Sequence, residues 1–487
     1  MEFEAVIGLE VHVQLKTKSK MFTRVGQGFG HDPNTLIDPV VLGLPGALPV
    51  LNKEAIKLSA KVGLIFGSEI PDVCKWDRKN YFYPDSPKNY QITQFDQPIC
   101  VGGKVEIELP GEKRNIMGMH RDVQLTRAHL EEDVGKLTHA ESDSLVDYNR
   151  AGTPLLEIVT EPDMQTPDEA VALLQSLRMH LTAAGISDCD MEKGQMRCDA
   201  NVSVRPKGSS ELRTRTEMKN LNSTMGIKNS IAYEIRRQIK VYENGGTVQQ
   251  ETRRWDVDTN MTISMRGKEE AHDYRYFPDP DLMPVRLPRD VVDHWKSELP
   301  ERVFDQQRRY MECFDLPYTL TSVICYDYEL SNYFEASLKC YDKNPKALAN
   351  YIANEFQRER AAGEADGFLP MSEVKMTPIH LAELVEVIDA GDITKQVAKD
   401  VFIEVFATGK SPKAIIEEKG LKDTTDSGEL EGWCRDAIAG NEKAANEFRE
   451  GNDKAINSFI GPIMKASRGQ ANPQKIQELL RKLLSAG

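Results

Sequence analysis

Glu10, His12 and Gln14 fall on one side of the strand-like run Val6-Ile7-Gly8-Leu9-Glu10-Val11-His12-Val13-Gln14-Leu15, because strict alternation gives Ile7, Leu9, Val11, Val13 and Leu15 to the other. An acid, an imidazole and an amide in line are groups able to hold a metal. Asp199-Ala200-Asn201-Val202-Ser203-Val204-Arg205 alternates in the same way and groups Asp199, Asn201, Ser203 and Arg205. After the turn residues Pro206-Lys207-Gly208-Ser209-Ser210, Arg213, Arg215, Glu217 and Lys219 share a face, so the two runs are predicted to form a hairpin. Leu155-Leu156-Glu157-Ile158-Val159 embeds one acid in an apolar strand, which is costly unless the carboxylate has a partner. Leu130-Glu131-Glu132-Asp133 adds three more acids, and alternation leaves open which of them points inward.

Converging carboxylates repel one another and weaken a fold unless a cation sits among them. Carboxylate oxygens with one imidazole suit Mg²⁺ or Mn²⁺, whereas tetrahedral zinc recruits more nitrogen or sulfur. Arg205, Arg213, Arg215 and Lys219 nearby suit an anionic ligand such as a nucleotide phosphate. On these residues alone, a metal and phosphate site and a set of surface salt bridges stand as alternatives. Neither a phosphate-binding GxxxxGK[ST] loop nor a GxGxxG turn is present. Gly208-Ser209-Ser210 reads as a hairpin turn rather than a serine nucleophile loop, and Cys74 and Cys198 lack an activating histidine neighbour.

A chain of 487 residues is too long for one core, so two to four domains are expected. No apolar run reaches membrane-spanning length, and the acidic start Met1-Glu2-Phe3-Glu4 resembles neither a secretory signal nor a transit peptide, so a cytoplasmic protein without a membrane partner is expected. Eight cysteines without a CxxC pair argue against a disulfide framework. The net charge of −14 opposes wholesale binding to nucleic acid and leaves only local contacts. One basic stretch exists, where Lys454, Lys465, Arg468, Lys475, Arg481 and Lys482 face only Asp453 and Glu478.

The elements that must position the acids are strands. Residues 1–292 read as an α+β domain with a large, mostly antiparallel sheet, interrupted by helices after Thr166 and from about Met225 to Glu243. Residues 293–410 read as a helical domain, with helices opened by Thr377 and Thr394. Residues 411–487 read as a small helical tail entered through a polar segment, 411–432, expected to be a loop.

Several motifs resemble the B subunits of the tRNA-dependent aspartyl/glutamyl amidotransferases. They are Gly8-Leu9-Glu10-Val11-His12-Val13-Gln14-Leu15, Arg78-Lys79-Asn80-Tyr81-Phe82-Tyr83-Pro84-Asp85, Leu130-Glu131-Glu132-Asp133-Val134-Gly135-Lys136-Leu137 and the run from Val146 to Val159. Met196 to Ser203, Thr216 to Ser223, His272 to Asp279 and Met464 to Pro473 extend the likeness over essentially the whole chain. The resemblance implies a kinase-like cradle with a glutamine-synthetase-like antiparallel sheet, then a helical domain and a tRNA-contacting helical tail. It implies ATP-dependent phosphorylation of the side-chain carboxylate of Glu or Asp mischarged on tRNA-Gln or tRNA-Asn. Ammonia from a glutaminase A subunit, held by a small C subunit in a heterotrimer, then displaces the phosphate.

Carried over motif by motif, the resemblance makes Glu10, His12, Glu132, Glu157, Asp199 and Glu217 the catalytic metal ligands, with Glu132 chosen over Glu131 on this ground alone. Arg205, Arg215 and Lys219 would meet the ATP phosphates. The cations implied are Mg²⁺ or Mn²⁺. Many family members carry two cysteine pairs for a structural zinc before the Leu42-Gly43-Leu44-Pro45-Gly46-Ala47-Leu48-Pro49 motif, where this chain has Thr23, Val25, Asp38 and Val41. No structural zinc is therefore expected, and packing around Phe22, Phe29 and Pro39 is expected to hold the loop. A non-catalytic tRNA adaptor and a free-standing carboxylate-amine ligase are the rival readings.

Overall fold

The computed structural model describes residues 2–139, 142–267, 274–362, 367–421, 427–467, 471 and 473–485. The chain divides into two compact units, Met1–Asp305 and Gln306–Gly487.

The first unit is built on a nine-stranded sheet. Its strands are β1 (Phe3–Gln14), β2 (Cys100–Val101), β3 (Lys104–Glu108), β4 (His120–Glu132), β5 (Pro154–Thr160), β6 (Met196–Pro206), β7 (Thr216–Leu221), β8 (Glu251–Asp256) and β9 (Met261–Gly267). They run in the order β9-β8-β7-β6-β1-β5-β4-β2, with β3 pairing on β4. The first strand is thus central. Its alternation is as expected: Ile7, Leu9, Val11 and Val13 are fully buried, while Glu10, His12 and Gln14 are only partly covered. All pairings are antiparallel except β7 with β8. The sheet is therefore mixed rather than purely antiparallel. A helix carries the chain from β7 back to the start of β8, and such a crossover is what a parallel neighbour requires.

Among the helices that pack in this unit are α1 (Lys53–Ile65), α2 (Pro167–Ala183) and α3 (Thr224–Glu243). Leu173, Leu177 and Leu181 of α2 and Ile227 and Ile231 of α3 join the apolar side of β1 in one core, each buried aliphatic side chain contributing about 1.5–3 kcal/mol. The opposite side of the sheet is left to polar groups. Thr166 caps α2 by accepting from Glu169 N at 3.2 Å, and the Glu169 carboxylate accepts from Thr166 N at 3.0 Å, the reciprocal box that fixes this start. The sequence reading missed α1, which Asn52 caps by accepting from Glu54 N and Ala55 N. A side chain at Gly63 would meet Cys100 Sγ at 2.5 Å, so glycine is what lets α1 approach the sheet. Val292 and Trp295 of the Arg289–Ser297 helix also join this core.

The second unit is helical, and includes Pro378–Asp389 and Lys395–Thr408 at the positions that Thr377 and Thr394 signal. The expected loop 411–432 instead contains the helix Pro412–Glu418, capped by Ser411, and the start of Ser427–Ala439. Its centre, 422–426, lies outside the described residues. Leu430, Cys434, Phe459, Ile463, Ile476 and Leu480 form a separate apolar cluster in the tail. Among the described residues no helix is long and apolar enough to cross a membrane.

The loop between β1 and α1 is not held as expected. Phe22 is buried, yet Phe29 is 70% exposed. The segment is fastened by the buried Lys20 ammonium, which donates to Leu36 O and Ala151 O at 2.6 Å each. Thr23 also donates to Asp38, whose other oxygen accepts from Val41 N at 2.8 Å. Charge-assisted bonds to carbonyls are stronger than neutral ones, so polar ties rather than aromatic packing organise this stretch.

Candidate active site

Cross-strand register decides which acids meet. His12 of β1 stands opposite Glu157 of β5, and Glu157 opposite His129 of β4. Glu10 stands opposite Asp199 of β6, and Asn201 opposite Glu217 of β7. Every one of these side chains belongs to the polar side of the sheet, so a band of acids and imidazoles crosses five strands.

Its densest part is a trio. His12 Nε2 lies 3.4 Å from Glu157 Oε2 and 3.9 Å from Glu131 Oε1, and one ligand atom from each of His12, Glu131 and Glu157 lies within 4.8 Å of the others. Burial opposes ionisation of Glu157, but hydrogen bonds from His12 and His129 hold its carboxyl well below the usual range. Burial likewise opposes the charged form of His12, and Glu157 outweighs it, so this imidazole is raised. The second part surrounds Glu10. Asn201 Nδ2 donates to Glu10 Oε1 at 2.9 Å, and Lys219 Nζ bridges Asp199 at 2.8 Å and Glu217 at 3.2 Å. Burial first, then repulsion from Glu157, Glu217 and Asp199, pushes the Glu10 carboxyl up. That is the conflict a cation resolves, and a His-carboxylate donor set suits Mg²⁺ or Mn²⁺.

Glu132 is elsewhere. It occupies the opposite side of β4, where its carboxylate is ion-paired with Lys88 and accepts from Ile92 N at 3.0 Å. The structure brings in Glu131 instead, because Arg127, His129 and Glu131 alternate with Ala128 and Leu130, which are buried in the core. That alternation was the available signal. Arg205 is also remote: it binds Glu4 at 2.6 Å, six residues along β6 from Asp199, or about 20 Å away at strand rise. Lys219 is occupied by the acids themselves. Arg215 lines a cavity of about 160 Å³ with Glu10, Asn201, Leu212, Arg213 and Pro162.

Three supporting groups were given no role of their own by the sequence, Asp133 being one of the three acids whose side was left open. Asp133 is buried and accepts from Arg197 at 2.8 Å and from Gln14 at 3.1 Å. Lys79 lies 5.0 Å over the Tyr274 ring and faces Glu131 and Glu157, whose charges outweigh burial and raise its pKa. His129 is the third. Cys74 and Cys198 are buried, and burial raises both thiols, Cys74 to about 11, so neither is poised as a nucleophile.

The sequence is similar to known proteins over its whole length. Residues 5–293 match the GatB/GatE catalytic domain and residues 332–484 the GatB domain, and the chain belongs to this family. Its relatives include proteins named as the B subunit of aspartyl/glutamyl-tRNA(Asn/Gln) amidotransferase. That of Opitutus terrae is 59% identical over the whole of both chains. Those of Carboxydothermus hydrogenoformans, 47% identical with 99% of each chain covered, and Persephonella marina, 44% identical with 99% of this chain and all of the relative covered, are similar as well. The chain is accordingly an enzyme subunit of the amidotransferase class.

Proposed function

We propose that this chain phosphorylates the side-chain carboxylate of Glu or Asp mischarged on tRNA-Gln or tRNA-Asn with ATP, and then amidates it with ammonia from a partner glutaminase subunit. Transfer of the γ-phosphoryl group gives an acyl phosphate and ADP. Ammonia adds at the acyl carbon, phosphate leaves, and the amide of Gln-tRNA-Gln or Asn-tRNA-Asn remains. The observation that carries the reading is the His12, Glu131 and Glu157 trio beside Glu10, Asp199 and Glu217, in a chain of this family.

A divalent cation bound there would neutralise charge on the transferring phosphoryl group. His12, Glu131 and Glu157 are the residues to hold it, so the ligand role that resemblance gave Glu132 passes to Glu131. Glu10, with Asp199 and Glu217 beside it, supplies further carboxylate oxygens. Arg215, in the cavity at Glu10, meets the nucleotide, and Arg197, fixed by Asp133, adds positive charge near the acids. Lys454, Lys465, Lys475, Arg481 and Lys482 are exposed in the tail and form its tRNA-facing surface, while Arg468 lies outside the described residues. The assembly is a cytoplasmic heterotrimer with a glutaminase subunit and a small third subunit, and the cradle is of the glutamine-synthetase kind.

The Glu157→Ala variant tests this reading. Assayed with the glutaminase partner, Mg²⁺ and mischarged tRNA, it is expected to form no amide while still binding tRNA. Undiminished turnover would sink the site assignment.

A further inference from the structure

His12, Glu157 and His129 form one rung across β1, β5 and β4, and both imidazoles address the same carboxylate oxygen. Glu157 Oε2 lies 3.4 Å from His12 Nε2 and 3.3 Å from His129 Nε2. We infer that His129 is a positioning residue, which holds Glu157 in place by donating its Nε2 proton while His12 and Glu157 are engaged by a divalent cation. The inference rests on the cation site proposed above.

The two imidazoles are not equivalent. His12 Nε2 also lies 3.9 Å from Glu131 Oε1, so it sits where three ligand atoms converge. A ring nitrogen that ligates a cation turns its lone pair to the ion and has no proton to donate. Cation binding therefore removes the His12 hydrogen bond to Glu157. His129 has no such competition. It is 5% exposed, and its Nδ1 is buried with no hydrogen-bond partner among the described residues. Nε2 is thus where its proton meets an acceptor, and that acceptor is Glu157.

A glutamate has three side-chain torsions, and a carboxylate freed of one donor needs another to stay aimed at an ion. Buried outer partners of this kind set ligand orientation, and losing one costs about 10–100-fold in metal affinity. The packing of β4 supports the role. Ala128 and Leu130 anchor the strand in the core on either side, so the imidazole is presented from a rigid element.

Mn²⁺ binding to the full-length chain, read by electron paramagnetic resonance without ATP or tRNA, tests this directly. His129→Leu removes the donor at similar volume and is expected to weaken Mn²⁺ binding about 10–100-fold. His129→Gln, which retains an N–H donor at comparable reach, is expected to recover most of the affinity and the wild-type spectrum. A purely packing role would favour Leu over Gln, so tighter Mn²⁺ binding by His129→Leu than by His129→Gln overturns the inference. His12→Ala and Glu157→Gln serve as references. If both weaken binding while His129→Leu matches wild type, the positioning role alone is overturned. If none of the three weakens it, the cation reading falls and this inference with it.

Discussion

Lys20→Met removes an ammonium that is fully shielded from solvent and donates to Leu36 O and Ala151 O at 2.6 Å each, with Tyr148 O at 3.4 Å. Two carbonyls left without donors cost about 1–3 kcal/mol each, and the variant recovers part of this by no longer burying a charge. A net loss of about 2 kcal/mol at pH 7 is expected. Burial pulls the Lys20 pKa from the ordinary 10.5 down to about 8. Because the folded value lies below the unfolded one, the unfolded chain holds more protons between them, and stability rises with pH across that window. From pH 7 to pH 9.5 the wild type should gain about 2 kcal/mol that Lys20→Met does not, widening the gap to about 4 kcal/mol. Urea unfolding followed by tryptophan fluorescence at the two pH values reads this difference, since Trp76 packs edge-on at 5.6 Å against Phe22, two residues along the chain from Lys20. Equal stability of the two proteins, or a gap unchanged by pH, would refute the reasoning.

Two further outcomes follow from the placement of charges. Glu131→Gln should lower both Mn²⁺ affinity and amide formation by at least about 100-fold, a loss of several kcal/mol, whereas Glu132→Gln should leave Mn²⁺ affinity as in wild type. The reverse order would return the ligand role to Glu132. Glu298 accepts from Lys57 at 2.8 Å and Lys61 at 2.7 Å, and these bonds lower its pKa from 4.5 to about 2. Its contribution is complete above pH 4.5 and disappears as pH falls toward 2, so Glu298→Gln should flatten that limb of the melting temperature against pH. An unchanged acid limb would show the triad to be inert.

What could be read from residues was what alternation and caps encode. β1 declared its two faces because its core side is unbroken from Ile7 to Leu15, and Thr166 announced α2. β4 carried the same information in Arg127, His129 and Glu131, but three consecutive acids at its end obscured the phase. Helix α1 hid because Ala55, Ser59, Ala60 and Gly63 interrupt the spacing of Ile56, Leu58, Val62 and Ile65 on its buried side. Arg205 and Lys20 show the limit of local pattern: their partners, Glu4 and the carbonyls of Leu36 and Ala151, are chosen by tertiary structure. Lysine as a type reads as solvent-exposed, and nothing beside Lys20 in the sequence says otherwise.

Carboxylate activation by ATP yields ADP, and ADP release is its most direct readout. ADP should be measured for the wild-type chain with its glutaminase partner and Mg²⁺, in the presence of Glu-tRNA-Gln, of Asp-tRNA-Asn, or of neither. ADP release that requires a mischarged tRNA, and that Glu157→Ala abolishes, is the expected result. Release at the same rate without tRNA, or none with either tRNA while amide still forms, would contradict it.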